Sequence, residues 1–183
     1  LVSREQRRRA KAVNFGIIYG ISDYGLSKDL GISRAEAKTY IDSYLAHYPN
    51  VTKYMTSIVQ EGKEKGYVTT LLGRKRWLPQ LKSSNYNVRS FGERMALNTP
   101  IQGTAADIIK LAMIRIAAEL ESRGYKTKML LQLHDELIFD VPEPELEAVK
   151  ALVKREMEGA MKLTVPLTVD MKLGRDWYNM EKI

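Results

Sequence analysis

Two short apolar runs, Met129–Leu133 and Leu137–Val141, are separated by only His134, Asp135 and Glu136. A connection this short permits an antiparallel hairpin and excludes a parallel crossover, which takes a dozen residues or more. Phe91 to Gly124 carries a long helical pattern in front of the hairpin. Pro100 and Gly103 interrupt it, which predicts a kink or break there. Pro144 to Met161 predicts an amphipathic helix opened by proline, and Val165 to Leu173 a returning strand. Helix, strand, strand, helix, strand is an α+β pattern with an antiparallel sheet.

The front half reads as mostly helical. Arg4 to Tyr19 predicts a helix stopped by Gly20. Ser33-Arg-Ala-Glu36 is a capping box; Ala37, Tyr40, Ile41 and Leu45 follow at helical spacing until Pro49. Asn50 is the expected cap of the next helix, which runs to Lys65 and stops at Gly66. Tyr67–Leu72, Gly73 and Arg74–Leu78 predict a small hairpin over about 67–79 with a basic second arm. The polar stretch Lys82–Asn87 is the expected subdomain border, giving residues 1–86 and 87–183 as the two parts.

Composition narrows the function. The 183 residues are 44% hydrophobic, enough for a packed interior, and no apolar run reaches membrane-spanning length. Cysteine is absent, which excludes disulfides, thiolate metal sites and a cysteine nucleophile. Residues 1–90 hold 16 basic and 7 acidic side chains, while 91–183 hold 13 basic and 15 acidic. A basic front half fits a polyanionic partner, and equally a soluble basic protein with a solvated surface. Neither Gly-x4-Gly-Lys-[Ser/Thr] nor Gly-x-Gly-x-x-Gly occurs.

Three constellations carry candidate chemistry. Arg7, Lys11, Phe15 and Tyr19 recur at four-residue steps, so they drift slowly along one helix face. Cations can neutralise a triphosphate and an aromatic face can pack on a sugar or base; a solvated basic turn with two core aromatics has the same pattern. Asp135 and Glu136, beside His134 at a strand end, offer oxygen ligands to a hard divalent cation, or simply a polar turn. Arg94, Asn98 and Gln102 are side-chain types that reach base edges, or an exposed polar face.

Together these stretches resemble the DNA polymerase I family (family A). Arg7-x3-Lys11-x3-Phe15-x3-Tyr19-Gly20 is similar to its fingers-helix motif. Asn98-Thr-Pro-Ile-Gln102-Gly-Thr-Ala-Ala-Asp107 is similar to the segment that follows the fingers. Leu131-Gln-Leu-His134-Asp135-Glu136 is similar to its palm motif. The resemblance implies mostly helical fingers over 1–86, then the C-terminal part of an antiparallel palm over 87–183. It also implies a template-directed DNA polymerase using primer–template DNA, deoxynucleoside triphosphates and two Mg²⁺ ions. Arg7 and Lys11 would contact the triphosphate. Phe15 would lie against its sugar and base and disfavour dideoxynucleotides. Tyr19, next to Gly20, would occupy or vacate the templating position. Arg8, Gly20, Arg94, Asn98, Gln102, Gln132 and His134 would serve DNA binding. Asp135 and Glu136 would hold metal and, with Lys11, carry catalysis.

The family's first catalytic aspartate, in a motif resembling Asp-Tyr-Ser-Gln-Ile-Glu, does not occur in the sequence. The expectation is therefore a C-terminal fingers/palm segment, inactive without the missing upstream portion, from a cytoplasmic, nucleoid-associated enzyme of replication and repair. A non-catalytic DNA-binding module on the same fold is the alternative. A small metal-dependent phosphohydrolase built on Asp135 and Glu136 is a third reading.

Overall fold

The computed structural model describes residues 2–183. The chain divides into two compact units between Thr104 and Ala105. This division lies inside a helix, beyond the polar 82–87 stretch where composition changes.

The first unit begins with α1 (Arg4–Ile18). Ser3 Oγ accepts from the Gln6 N–H and the Gln6 side chain accepts from the Ser3 N–H, a reciprocal cap that supplies two otherwise unpaired donors with partners. Gly20 stops the helix at φ 77°, a conformation costly for any residue with a Cβ. α2 (Asp23–Leu30) and α3 (Arg34–His47) follow. Ser33 Oγ accepts from the Glu36 N–H at the start of α3. Leu26, Leu30 and Ala37 are buried with Ala12, Val13, Ile21, Ile32 and Ile41 packed around them, which joins α1, α2 and α3. The next helix, α4 (Pro49–Lys65), has Pro49 in its first turn and Tyr48 at its N-cap, so Asn50 lies inside the helix rather than capping it. Proline needs no donor partner there, which moves the start forward.

Gly66 leads into β1 (Tyr67–Thr69), which pairs antiparallel with β2 (Lys75–Trp77). Val68, Leu78, Leu81 and Ala96 form the second core of this unit. A 3₁₀ turn over Pro79–Lys82 precedes α5 (Tyr86–Ser122). The helix passes through Pro100 without a break, contrary to the interruption expected there. Proline removes one ladder donor, the partner of the Ala96 carbonyl, while flanking threonine hydroxyls bond to other carbonyls of the helix. Thr99 Oγ1 donates to the Met95 carbonyl and Thr104 Oγ1 to the Pro100 carbonyl.

In the second unit, Ala112, Ile116 and Leu120 on α5 pack with Val149, Leu152 and Val153 on α6 (Leu146–Glu158). Pro144 lies in a 3₁₀ turn over Glu143–Glu145, so α6 starts later than the proline implied. β3 (Lys128–Leu133) and β4 (Glu136–Asp140) form the expected antiparallel hairpin, with Leu133 opposite Glu136. Glu136 is thus the first strand residue, and the turn is only His134 and Asp135. The strand expected over Val165–Leu173 shrinks to β5 (Lys172–Leu173), paired with β6 (Glu181–Lys182). Pro166 interrupts the pattern, and a chain segment with no neighbouring strand gains no ladder bonds.

Candidate nucleotide and nucleic-acid surfaces

In the first unit, α1 presents Arg7, Lys11 and Phe15 on an exposed surface, and Phe15 is 51% exposed. Exposure at this level decides against the core reading of Phe15. Its ring stacks on that of Tyr19, with centroids 6.2 Å apart and planes 26° off parallel. Four residues make just over one helical turn, which brings the two rings together. The result is two cations followed by a continuous aromatic surface along one helix. Arg8 differs from Arg7. Its guanidinium forms an ion pair with Glu5 at 2.8 Å, and Arg9 joins the same carboxylate at 3.0 Å. Those two cations hold the Glu5 carboxyl down at about 2.

Just beyond α1, at Gly20, the chain approaches α5. A Cβ on Gly20 would lie 2.9 Å from Leu97 Cδ1 and 3.3 Å from Arg94 Cγ. Gly20 therefore lets the backbone after Tyr19 approach α5 where Arg94 begins the polar row. The unbroken helix preserves the four-residue spacing of Arg94, Asn98 and Gln102. Arg94 donates to Ser90 Oγ at 3.0 Å and lies 5.9 Å from the Phe91 ring centroid. Gln102 is exposed, whereas Asn98 is half-buried and its Oδ1 is enclosed without a hydrogen-bond partner. An enclosed acceptor left unpaired is costly.

The basic arm of the β1–β2 hairpin belongs to the same unit. Trp77 is 65% exposed and packs edge-on against Tyr67, while Lys75 lies over the Tyr67 ring at 4.7 Å. Arg76 reaches Thr99 on α5 through a long 3.4 Å bond. These threonine contacts were not legible as functional features. The adjacent small residues Gly103 and Thr104, directly after Gln102, are the only sequence sign of a close approach there.

In the second unit, His134, Asp135 and Glu136 are exposed at the β3–β4 turn. His134 has φ 55°. Two-residue hairpin turns need a positive φ at their first central position, normally supplied by glycine. Histidine holds that conformation here at a cost of roughly 1–2 kcal/mol. Gln132 Nε2 donates to the His134 carbonyl at 3.0 Å and ties the turn to its own strand. Glu145 anchors the base of the hairpin. Its carboxylate accepts from the N–H groups of Lys126 and Thr127, both at 2.9 Å, and from Thr127 Oγ1 at 2.7 Å. The Lys126 N–H, aided by those Thr127 groups, lowers the Glu145 pKa below the ordinary carboxylate value.

Asp135 and Glu136 are an all-oxygen donor pair, which fits Mg²⁺; that ion commonly takes one or two carboxylates and completes its shell with waters and phosphates. Among the described residues no group of three His, Cys, Asp or Glu side chains is placed to hold a metal ion.

Residues 1–179 match the family described as DNA polymerase family A. The chain belongs to that family. It is 57% identical over 178 residues to DNA polymerase I of Bacillus subtilis, and 55% identical over 177 residues to DNA polymerase I of Streptococcus pneumoniae. Each alignment covers 97% of this chain and 20% of the relative, so the chain spans a fifth of these polymerases. Its fold matches the POL domain of Pol1 from M. smegmatis, solved in complex with DNA primer-template and dNTP. The TM-score is 0.87 at 46% identity, over 91% of this chain and 29% of that one. The α+β class and the family A resemblance read from the motifs both agree with these matches. Among the described residues no helix is long and apolar enough to cross a membrane.

Proposed function

We propose that this chain supplies nucleotide-binding, DNA-binding and metal-binding residues to a template-directed DNA polymerase, which adds deoxynucleotides to a primer 3′-hydroxyl. One observation carries the reading: α1 exposes Arg7 and Lys11 in line with the stacked Phe15–Tyr19 pair. Phosphoryl transfer requires positioning and charge neutralisation far more than covalent chemistry. Arg7 and Lys11 neutralise the triphosphate, and Lys11 supports the leaving pyrophosphate. Phe15 packs on the incoming sugar and base, and Tyr19 moves as the template base enters, with Gly20 allowing the chain to turn behind it.

Arg94, Asn98 and Gln102 contact primer–template. Arg8, Gln132 and His134 add contacts near the growing end. Such contacts to phosphates and to minor-groove acceptors common to all pairs bind DNA without sequence preference. Asp135 and Glu136 would hold Mg²⁺, which when bound activates the 3′-hydroxyl and stabilises charge on the transferring phosphoryl group. In this reading residues 1–86 are the fingers, residues 87–183 belong to the palm, and a further carboxylate from beyond these residues completes the metal site. The complete enzyme works in the cytoplasm on nucleoid DNA, in replication and repair.

Asp135→Ala in a complete polymerase containing this chain tests the reading. Single-nucleotide extension should fall by about a hundredfold or more, because a charge stabiliser is lost from the transition state. Primer–template affinity should stay within about twofold, since no phosphate-contacting cation is removed. Undiminished extension would eliminate the metal role of Asp135.

A further inference from the structure

The β1–β2 hairpin is fastened to α5 by buried hydroxyl groups. Thr70, Thr99 and Thr104 are 4%, 7% and 6% exposed. The Leu71 N–H donates to Thr104 Oγ1 at 3.0 Å, and the same hydroxyl donates to the Pro100 carbonyl. Thr70 Oγ1 accepts from the Arg74 N–H at 3.2 Å and so shapes the turn leading into the basic arm. Gly103 completes the arrangement. A Cβ there would lie only 2.6 Å from Thr70 Cγ2, closer than real carbon atoms approach.

This fastening sits where α5 most needs it. Pro100 has no N–H, so the helix lacks the ladder bond that would reach back to the Ala96 carbonyl, one turn before it. A helix weakened at that point bends easily. The Thr104 hydroxyl bonds the Pro100 carbonyl and accepts from the Leu71 N–H, so the turn after the proline is tied to the hairpin backbone.

We propose that Thr104, seated by Gly103 and Thr70, is a positioning residue. It fixes Asn98 and Gln102 in register with the basic arm Arg74–Trp77, so that both engage the same stretch of primer–template. This rests on the reading of Asn98 and Gln102 as DNA contacts. Thr104 need not touch DNA itself. It acts through the backbone at Leu71 and Pro100, and small misplacements of contacting groups are expensive.

The test uses a complete polymerase containing this chain. Steady-state extension is measured against primer–template and against dNTP separately, with thermal melting alongside. Thr104→Val keeps the side-chain shape and deletes the hydroxyl. It should raise KM for primer–template about threefold to tenfold, the equivalent of one or two lost neutral hydrogen bonds. The kcat at saturating DNA and the KM for dNTP should stay within about twofold. Thr104→Ser keeps the hydroxyl and should restore the DNA KM, an outcome that general loss of packing would not produce.

A second arm does not depend on Thr104→Val folding well. Gly103→Ala should weaken DNA use, and the added Thr70→Ser, which removes the clashing methyl but keeps the hydroxyl, should recover most of it. Gln102→Ala separates the possible failures. If Gln102→Ala raises the DNA KM but Thr104→Val and Gly103→Ala do not, the positioning role is wrong and the DNA reading stands. If Gln102→Ala and Asn98→Ala leave the DNA KM unchanged, the reading on which this inference rests falls with it.

Discussion

Lys11 and Arg8 stand three residues apart on α1 and have different electrostatic surroundings. Arg8 is engaged by Glu5, whereas Lys11 lies on the exposed stripe with Arg7 and Phe15. Lys11→Ala should therefore lower kcat/KM for dNTP by roughly tenfold to a hundredfold, the equivalent of a charge-assisted hydrogen bond of about 1.5–3 kcal/mol. DNA affinity should change little, and a drop in DNA binding equal to the drop in nucleotide use would overturn the assignment. Phe15→Tyr adds one hydroxyl to an exposed ring and should increase dideoxynucleotide incorporation in a chain-termination ladder. The stripe was legible because helical periodicity alone sets which side chains share a face. The pairing of Arg8 was not, since Glu5 could equally have turned to solvent. The enclosed, unpaired Asn98 Oδ1 was illegible for another reason: what surrounds an amide depends on packing that sequence spacing does not report.

At the scale of elements, the Ser33 cap and the glycine stops were readable, whereas the cap expected at Asn50 and the interruption expected at Pro100 were not what the fold adopts. Gly20, Gly66 and Gly124 all adopt positive φ just beyond helices, as their lack of Cβ allows. Pro100 did not break α5: Ala96, Leu97 and Thr99 before it and Thr104 and Asp107 after it are buried. Tertiary burial on both sides of a proline can outweigh one missing ladder bond.

The β3–β4 hairpin depends on an anchor outside itself, the Glu145 carboxylate held by the Lys126 and Thr127 N–H groups. Its pKa is lowered in the folded chain. That contribution to stability is fully present above the unfolded value of about 4.3 and is lost as pH falls through the lower folded value. Glu145→Gln should thus reduce the melting temperature at neutral pH and flatten its decline below about pH 4.5. An acid limb identical to that of the parent would show that other carboxylates control it.

For the molecule as a whole, the net charge of +7 arises entirely in the front half of the chain. If phosphates are the main contacts, primer–template affinity should fall linearly with salt on a log–log plot, by of the order of a thousandfold between about 50 and 200 mM for six contacts. A flat salt profile would mean that the basic residues serve another purpose. This charge bias, the helix faces, the short connection that dictates the β3–β4 hairpin and the family membership are properties of local residue order. They depend on spacing along the chain, so they can be read without coordinates. The seating of Gly103 on Thr70, the bond from the Leu71 N–H to Thr104, the approach of Gly20 to α5 and the carboxylate at the base of β3 join residues from 18 to 77 positions apart. Only close packing brings such groups within bonding distance, and each depends on a few ångströms that residue order does not encode.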